Sequence, residues 1–315
     1  MPDRNEIRTL RPSKRSGRID RPVHFLQEME MGVDGVVQRV NTLFLRNREC
    51  SFTCTMCDLW RDTLESDTPQ GAIPAQIDYA LARLPKADRI KLYNSGNFFD
   101  RRAIPPSDYP EILASIRNTR HLIVENHPSL CNKELFRFAS QYDGSFEVAM
   151  GLETIHPAIL PRLNKNMNPE TYRNAVQSLR RAGIHVRTFL LLQLPWELDP
   201  LENRKWALRS LEYALESGSQ VVSMIPTRSG NGIMDKLEAE GRFVEPSLVQ
   251  IEQTADEAIR MVKGRGLLQI DLWDLFRFSD CSTCEIERKE RLERLNLTQE
   301  PQPPVACPKC RRGMA

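Results

Sequence analysis

From about residue 36 onward, apolar and polar positions alternate between two rhythms. Residues 36–45, rich in Val, Leu and Phe, read as a strand, and residues 89–93, 121–126, 146–152, 185–194 and 220–225 read as further strands. Between them, a period near 3.6 predicts helices over 74–84, 109–118, 133–141, 169–181, 201–217 and 248–263. Punctuation agrees: Pro74 opens and Pro85 closes the first helix, and Gly183 and Gly218 stand just past two others. The near-continuous apolar run at 185–194 suits a parallel strand covered on both faces. Residues 267–272 add a possible seventh strand.

Strand followed by helix, six or seven times over, implies a parallel sheet with right-handed crossovers. The predicted fold is α/β: a partial parallel (β/α)6 barrel of the TIM type over 36–275, with a basic N-terminal arm at 1–35 and a small Cys-rich, metal-binding tail at 276–315. In such folds the active site forms at the C-terminal ends of the strands. The residues just past each strand therefore matter most.

Composition narrows the function classes without choosing one. The 315 residues can bury one large core, and 40% hydrophobic with 27% charged content is ordinary for a soluble protein. A net charge of +2 does not make the chain a polycation. Apolar runs such as 189–192 fall far below the ~18 residues that span a bilayer, and 1–21 holds no apolar signal core, so no membrane role and a cytoplasmic setting are expected. Residues 1–22 carry seven Lys or Arg against three acids and read either as a solvated arm or as an RNA-contacting one.

Cysteines change the picture. Cys50, Cys54 and Cys57 lie directly after the first predicted strand in a C-x3-C-x2-C run. Soft thiolates select iron–sulfur clusters or zinc. Three cysteines with no histidine nearby leave a structural zinc site one ligand short, but they hold a cluster with one iron open to a further ligand. Cys281, Cys284, Cys307 and Cys310 form two C-x2-C pairs, a strong metal signal for zinc or, alternatively, an auxiliary cluster. Arg311 and Arg312 beside the second pair suit a ribbon-type zinc knuckle. Between the pairs, 285–297 is highly charged and is expected to lie outside any core. Cys131 is isolated and reads as a small buried hydrophobe.

The triad, the Tyr-Asn-Ser-Gly-Asn-Phe-Phe-Asp run at 93–100, Gly-Leu-Glu-Thr at 151–154 and Leu-Asn-Lys at 163–165 together resemble the radical S-adenosylmethionine (radical SAM) superfamily, and within it the elongator-like branch that includes the radical subunit of archaeosine synthase. The resemblance implies a [4Fe-4S] cluster whose open iron binds SAM. Reductive cleavage then gives methionine and a 5′-deoxyadenosyl radical that takes hydrogen from the substrate. It implies backbone contacts to SAM from Asn94, Ser95, Gly96 and Asn97, although the usual Gly-Gly-Glu is absent there. Glu125 would face SAM, Glu153 its ribose or amino group, and Lys165 its carboxylate. Arg187 and Gln193, polar residues in an apolar strand, would bind SAM or substrate, or else another strand. His127 reads either as a proton shuttle or as a satisfied structural histidine. The Gly-rich loop at 226–232 could hold substrate or adenine.

Three function classes follow. The first is a radical SAM enzyme acting on a tRNA nucleoside and reduced by a flavodoxin or ferredoxin. The second is a radical SAM enzyme of small-molecule biosynthesis, which the low net charge favours. The third is a non-catalytic zinc-ribbon module binding nucleic acid or a partner, against which the intact triad argues.

Overall fold

The computed structural model describes residues 2–310. Its centre is a curled eight-stranded sheet in chain order: β1 (His24–Met31), β2 (Val37–Phe44), β3 (Arg89–Tyr93), β4 (His121–Glu125), β5 (Ser145–Glu153), β6 (His185–Leu191), β7 (Val221–Ile225) and β8 (Leu267–Ile270). β1 runs antiparallel to β2, and every later neighbour is parallel. The helices are α1 (Arg4–Thr9), α2 (Ala72–Leu81), α3 (Tyr109–Ser115), α4 (Lys133–Ala139), α5 (Pro169–Arg181), α6 (Pro200–Ser217), α7 (Ile233–Ala239), α8 (Leu248–Val262) and α9 (Glu285–Thr298). The predicted parallel partial barrel is present, with the strand at 267–270 as its last member.

Local chemistry sets the element ends. Asn168 caps α5 by accepting the Thr171 N–H ahead of Pro169, and Asp199 does the same for Leu201 in α6. Gly218, at φ +110°, ends α6 in a conformation that most side chains avoid. β6 stops three residues earlier than expected because the Leu194 N–H goes to Asn203 Oδ1 instead of to a neighbouring strand. Outward-facing residues such as Leu43, Leu92, Val124, Val148, Val186 and Met224 are fully buried beneath the helices. Their alternates, including Thr42, Lys91, Glu147 and Arg187, turn into the lumen.

Two expectations are corrected. The predicted arm at 1–35 is not loose: Ile7 is buried, and the Leu10 carbonyl lies where a Cβ on Gly232 would sit, 2.0 Å away. Arg11 and Lys14 bind Glu49 at 2.6 and 2.7 Å, Arg15 binds Asp62 at 3.3 Å, and residues 24–31 are the edge strand β1. That strand hid in the sequence because its polar residues, Glu28 and Glu30, point inward while Met29 is exposed.

The second correction is α9, which belongs to the core. Leu292 and Leu295 are fully buried, and Arg291 reaches Asp256 of α8 at 2.7 Å. Asn296 exchanges hydrogen bonds with the N–H and C=O of Ile270 at 2.8 and 2.9 Å, and Gln299 does so with Leu268 at 2.8 Å. These side-chain amides stand in for the strand that β8 lacks at its free edge. Because α9 also touches β1, it seals the seam between the two edge strands. Among the described residues, no helix is long and apolar enough to cross a membrane.

Candidate active site

The lumen is built in three layers. At its floor, Arg187 donates to Glu147 and Glu30 at 2.7 Å each, and Lys91 pairs with Glu30 and Glu28. His121 adds a bond to Glu147 at 3.1 Å. Burial pushes the Glu30 carboxyl up, but Arg187 and Lys91 outweigh it and bring it down to about 2. Arg187 is therefore not brought to a cofactor position. Its guanidinium is engaged by two carboxylates from other strands, the alternative its sequence context left open.

Above the floor lies a band of rings. Tyr93 faces Phe189 across the lumen with centroids 6.1 Å apart and meets Phe44 at 6.1 Å. Trp273, just past β8, closes on Phe44 at 6.3 Å and on His24 at 5.7 Å. Phe44, Tyr93 and Phe189 stay half-exposed, and Trp273 is exposed, so the band opens to the mouth.

The mouth holds the cysteine triad, on a loop braced from several sides. Asn164 donates to the Thr53 carbonyl at 3.0 Å, and Asn231 donates to the carbonyls of Thr55 and Cys57 at 2.8 and 3.1 Å. Thr55 N–H reaches Leu163 O at 2.9 Å, and Trp60 Nε1 reaches Cys57 O at 3.1 Å. Arg4 bonds to Thr53 and to Ser51 O from the N-terminal side. Burial raises all three thiols, Cys54 to about 11. Such sulfurs stay protonated until a metal takes the proton's place.

Around the loop stand the residues expected from sequence. Lys165 and Glu153 pair at 2.7 Å, directly over Gly151, where a Cβ would strike both side chains. Glu153 adopts φ +66° at a bulge in β5, which turns its carboxylate to this partner. Burial disfavours the Lys165 charge, but the Glu153 carboxylate beside it outweighs this and holds the ammonium above the ordinary lysine value. Glu125 Oε2 accepts the Asn94 N–H at 2.9 Å, and burial raises its carboxyl to about 7. Ser95 takes a left-handed φ of +52° in the same turn, and Gly96 lies so close that a Cβ there would be 3.3 Å from Cys50 Cβ. The Asn94 side chain is fully buried, and neither of its polar atoms has a partner among the described residues.

Other expected residues do different work. His127 is neutral and satisfied: Nε2 donates to Lys165 O at 3.1 Å, Nδ1 accepts from Ser129 N at 3.1 Å, and burial lowers its value to about 4. Gln193 is buried beside the turn after β6, where its backbone carbonyl accepts from Thr227 Oγ1 and its side-chain Nε2 donates to Glu197 O at 3.5 Å. The loop at 226–232 contributes Asn231 to the cysteine loop, and Arg228 binds Asp271 at 3.0 Å. Sequence reasoning missed Asn164 and Asn231 as braces, although Asn164 sits inside the Leu-Asn-Lys run and its φ of +55° suits asparagine.

In the tail, the sulfurs of Cys281, Cys284, Cys307 and Cys310 all lie within 4.8 Å of one another, a group that could hold a metal ion. Arg288 Nε donates to Cys284 Sγ at 3.2 Å, and the Cys310 backbone N–H helps to lower the Cys307 thiol to about 7. Arg311 and Arg312 lie outside the described residues.

Three soft thiols on one loop at the mouth, with the Lys165 ammonium and the Glu153 carboxylate close enough to act on Cys54, form a donor set whose chemistry fits an iron–sulfur cluster.

Known proteins agree with this reading. The family model of the radical SAM superfamily matches residues 45–203. An uncharacterized protein of Methanopyrus kandleri is 25% identical over 137 residues, 42% of this chain and 26% of that protein. Protein YhcC of Escherichia coli K12 is 31% identical over 213 residues, 66% of this chain and 67% of that one. In fold, the chain is similar to Methanocaldococcus infernus Elp3, with TM-score 0.54, 15% identity and coverage of 75% of this chain and 60% of that one. Methylornithine synthase is also similar, with TM-score 0.54, 12% identity and coverage of 94% and 80%. The chain thus spans about a quarter of the Methanopyrus relative's length and 60% of the Elp3 chain. With three cysteines at the superfamily's spacing on the mouth of a parallel half-barrel, and with the family model matching from the end of β2 into α6, this chain belongs to the radical SAM superfamily.

Proposed function

We propose that the protein is a radical SAM enzyme. Cys50, Cys54 and Cys57 would hold a [4Fe-4S] cluster, and SAM would lie between that cluster and the ring band. When bound, the cluster and SAM supply one-electron cleavage to a 5′-deoxyadenosyl radical. Lys165 would orient the SAM carboxylate, Glu153 its amino or ribose group, and the Asn94–Gly96 backbone the amino group. The single observation that carries this reading is that the loop bearing the three cysteines lies beside the Glu153–Lys165 pair, which acts on Cys54 and Cys50, and beside the Glu125-held turn, where Gly96 comes close to Cys50. Oxygen-free protein reconstituted with iron and sulfide, then given dithionite and SAM, should yield 5′-deoxyadenosine, and Cys54→Ala should abolish it. A wild type that never yields this product overturns the proposal.

The ring band favours a substrate with a planar base, and so a tRNA nucleoside. Stacking on an aromatic side chain contributes about 1–3 kcal/mol per base. The band supports this class; the basic arm does not, since Arg4, Arg11, Lys14 and Arg15 already bind the chain itself. Salt-dependent binding of bulk tRNA that weakens in Trp273→Ala is expected, and its absence would favour a small molecule. A cytoplasmic flavodoxin or ferredoxin would supply the electron.

For the tail we favour zinc. The Cys281–Cys307 and Cys284–Cys310 sulfurs are 4.0 and 3.9 Å apart. A tetrahedral ion with Zn–S of about 2.3 Å requires sulfurs roughly 3.8 Å apart. A four-iron cluster is larger and holds its ligands farther from one another. Zinc lost and iron retained in Cys281→Ser/Cys284→Ser supports this assignment.

A further inference from the structure

Asn97 belongs to the run expected to line up backbone with SAM, but its side chain does something else. It is buried between the cysteine loop and the turn after β4. Its Oδ1 accepts the His127 backbone N–H at 2.7 Å, and its Nδ2 donates to Cys50 Sγ at 3.2 Å. A backbone N–H can only donate, so the amide oxygen must face His127 and the NH2 group must face the sulfur. The partner that sets this orientation is itself fixed. The His127 ring stacks on Phe52 at 4.1 Å, its Nε2 donates to Lys165 O, and Ser129 binds its Nδ1. Directly after Asn97, Phe98 N–H donates to Glu125 O at 2.8 Å and Phe99 N–H to Asn126 Oδ1 at 3.3 Å.

From this geometry we infer that Asn97 is a positioning residue for the cluster: it donates a hydrogen bond to the Cys50 thiolate and thereby makes the cluster easier to reduce. Reduction adds negative charge that the coordinating sulfurs share. An N–H pointed at one of them stabilises the reduced form more than the oxidised form, and hydrogen bonds to the sulfurs are among the factors that set the potential of such clusters. The inference rests on the assignment of a four-iron cluster to the triad. It differs from that assignment in what it requires, because it concerns the potential and not the presence of the cluster.

The test is a redox titration of the oxygen-free, reconstituted full-length protein without SAM, followed by electron paramagnetic resonance, with iron counted per chain. Asn97→Ala removes the donor. Asn97→Asp keeps an acceptor for the His127 N–H but turns an oxygen to the sulfur. At the wild-type midpoint potential, the ratio of reduced to oxidised cluster should fall by about three- to tenfold in Asn97→Ala, tenfold corresponding to ~59 mV for one electron. It should fall further in Asn97→Asp. Ser129→Ala, which touches His127 but neither Asn97 nor Cys50, should leave the midpoint where it is. A fully loaded Asn97→Ala or Asn97→Asp that shares the wild-type midpoint overturns the inference and leaves the cluster assignment standing. A wild type without a four-iron cluster removes both.

Discussion

Replacing Arg187 by methionine should unfold the barrel floor without touching SAM. The guanidinium sits between Glu30 and Glu147 at 2.7 Å, all three side chains at most 8% exposed. Removing it leaves Glu147 with only His121 and Glu30 with only Lys91. Breaking a buried ion network by deleting one partner costs about 3–5 kcal/mol. The Glu30 carboxyl points the same way: Arg187 and Lys91 together hold it at about 2, below its ordinary value of 4.5, so removing Arg187 takes away part of that stabilisation. With a urea m-value of about 3 kcal/mol per M, the unfolding midpoint should drop by roughly 1–1.7 M. The pH signature has a definite sign. Both carboxyls are depressed in the folded state, so their contribution is complete above about pH 5 and is lost as pH falls toward 2. Arg187→Met should flatten that slope, and Glu30→Gln/Glu147→Gln/Arg187→Met should recover much of the midpoint, because an apolar or neutral set needs no counter-charge. Equilibrium dialysis should find SAM affinity unchanged in folded Arg187→Met at low urea. An unchanged urea midpoint together with lost SAM binding would refute the structural role and restore Arg187 to the cofactor.

Lys165→Met should weaken SAM binding at least tenfold by dialysis, since one charge-assisted hydrogen bond contributes about 1.5–3 kcal/mol. Its Glu153 partner, 8% exposed, is then left buried without a cation, so a modest fall in melting temperature should accompany the loss. Asn231→Ala removes the braces on the Thr55 and Cys57 carbonyls and should lower iron bound per chain, measured after desalting, with the far-UV circular dichroism unchanged. Chelating any metal held by the four tail cysteines, or Cys284→Ser, should free α9 from the seam. Hydrogen exchange at the Leu268 and Ile270 amides, now held by Gln299 and Asn296, should speed up before the exchange of β4 and β5 changes.

What could be read in advance depended on how far apart the cooperating residues lie in the chain. The triad, the capped helices and the Leu-Asn-Lys run are local, so spacing alone carries their geometry. The floor is not local: Arg187 and Glu30 are 157 residues apart, and Glu30 lies on a strand whose pattern is inverted. The seam was hidden for a related reason. α9 is charged along most of its length, but Arg288 and Arg291 face Glu252 and Asp256 across the α8 contact, so polarity there marks a buried interface and not a solvated one. One rule available from sequence would have divided the lumen correctly. In a parallel barrel, the ligand side is the C-terminal end of each strand. Arg187 is the third residue of β6, whereas Phe189 lies two residues nearer the mouth and Gln193 lies past the end. Lys91 likewise lies two residues below Tyr93. Polar residues early in a strand can reach only one another across the lumen, and those at or beyond its end are the ones free to meet a cofactor. By that measure Glu125, the last residue of β4, and Glu153, the last of β5, stand on the mouth side where a cofactor would lie, and Arg187 stands below it.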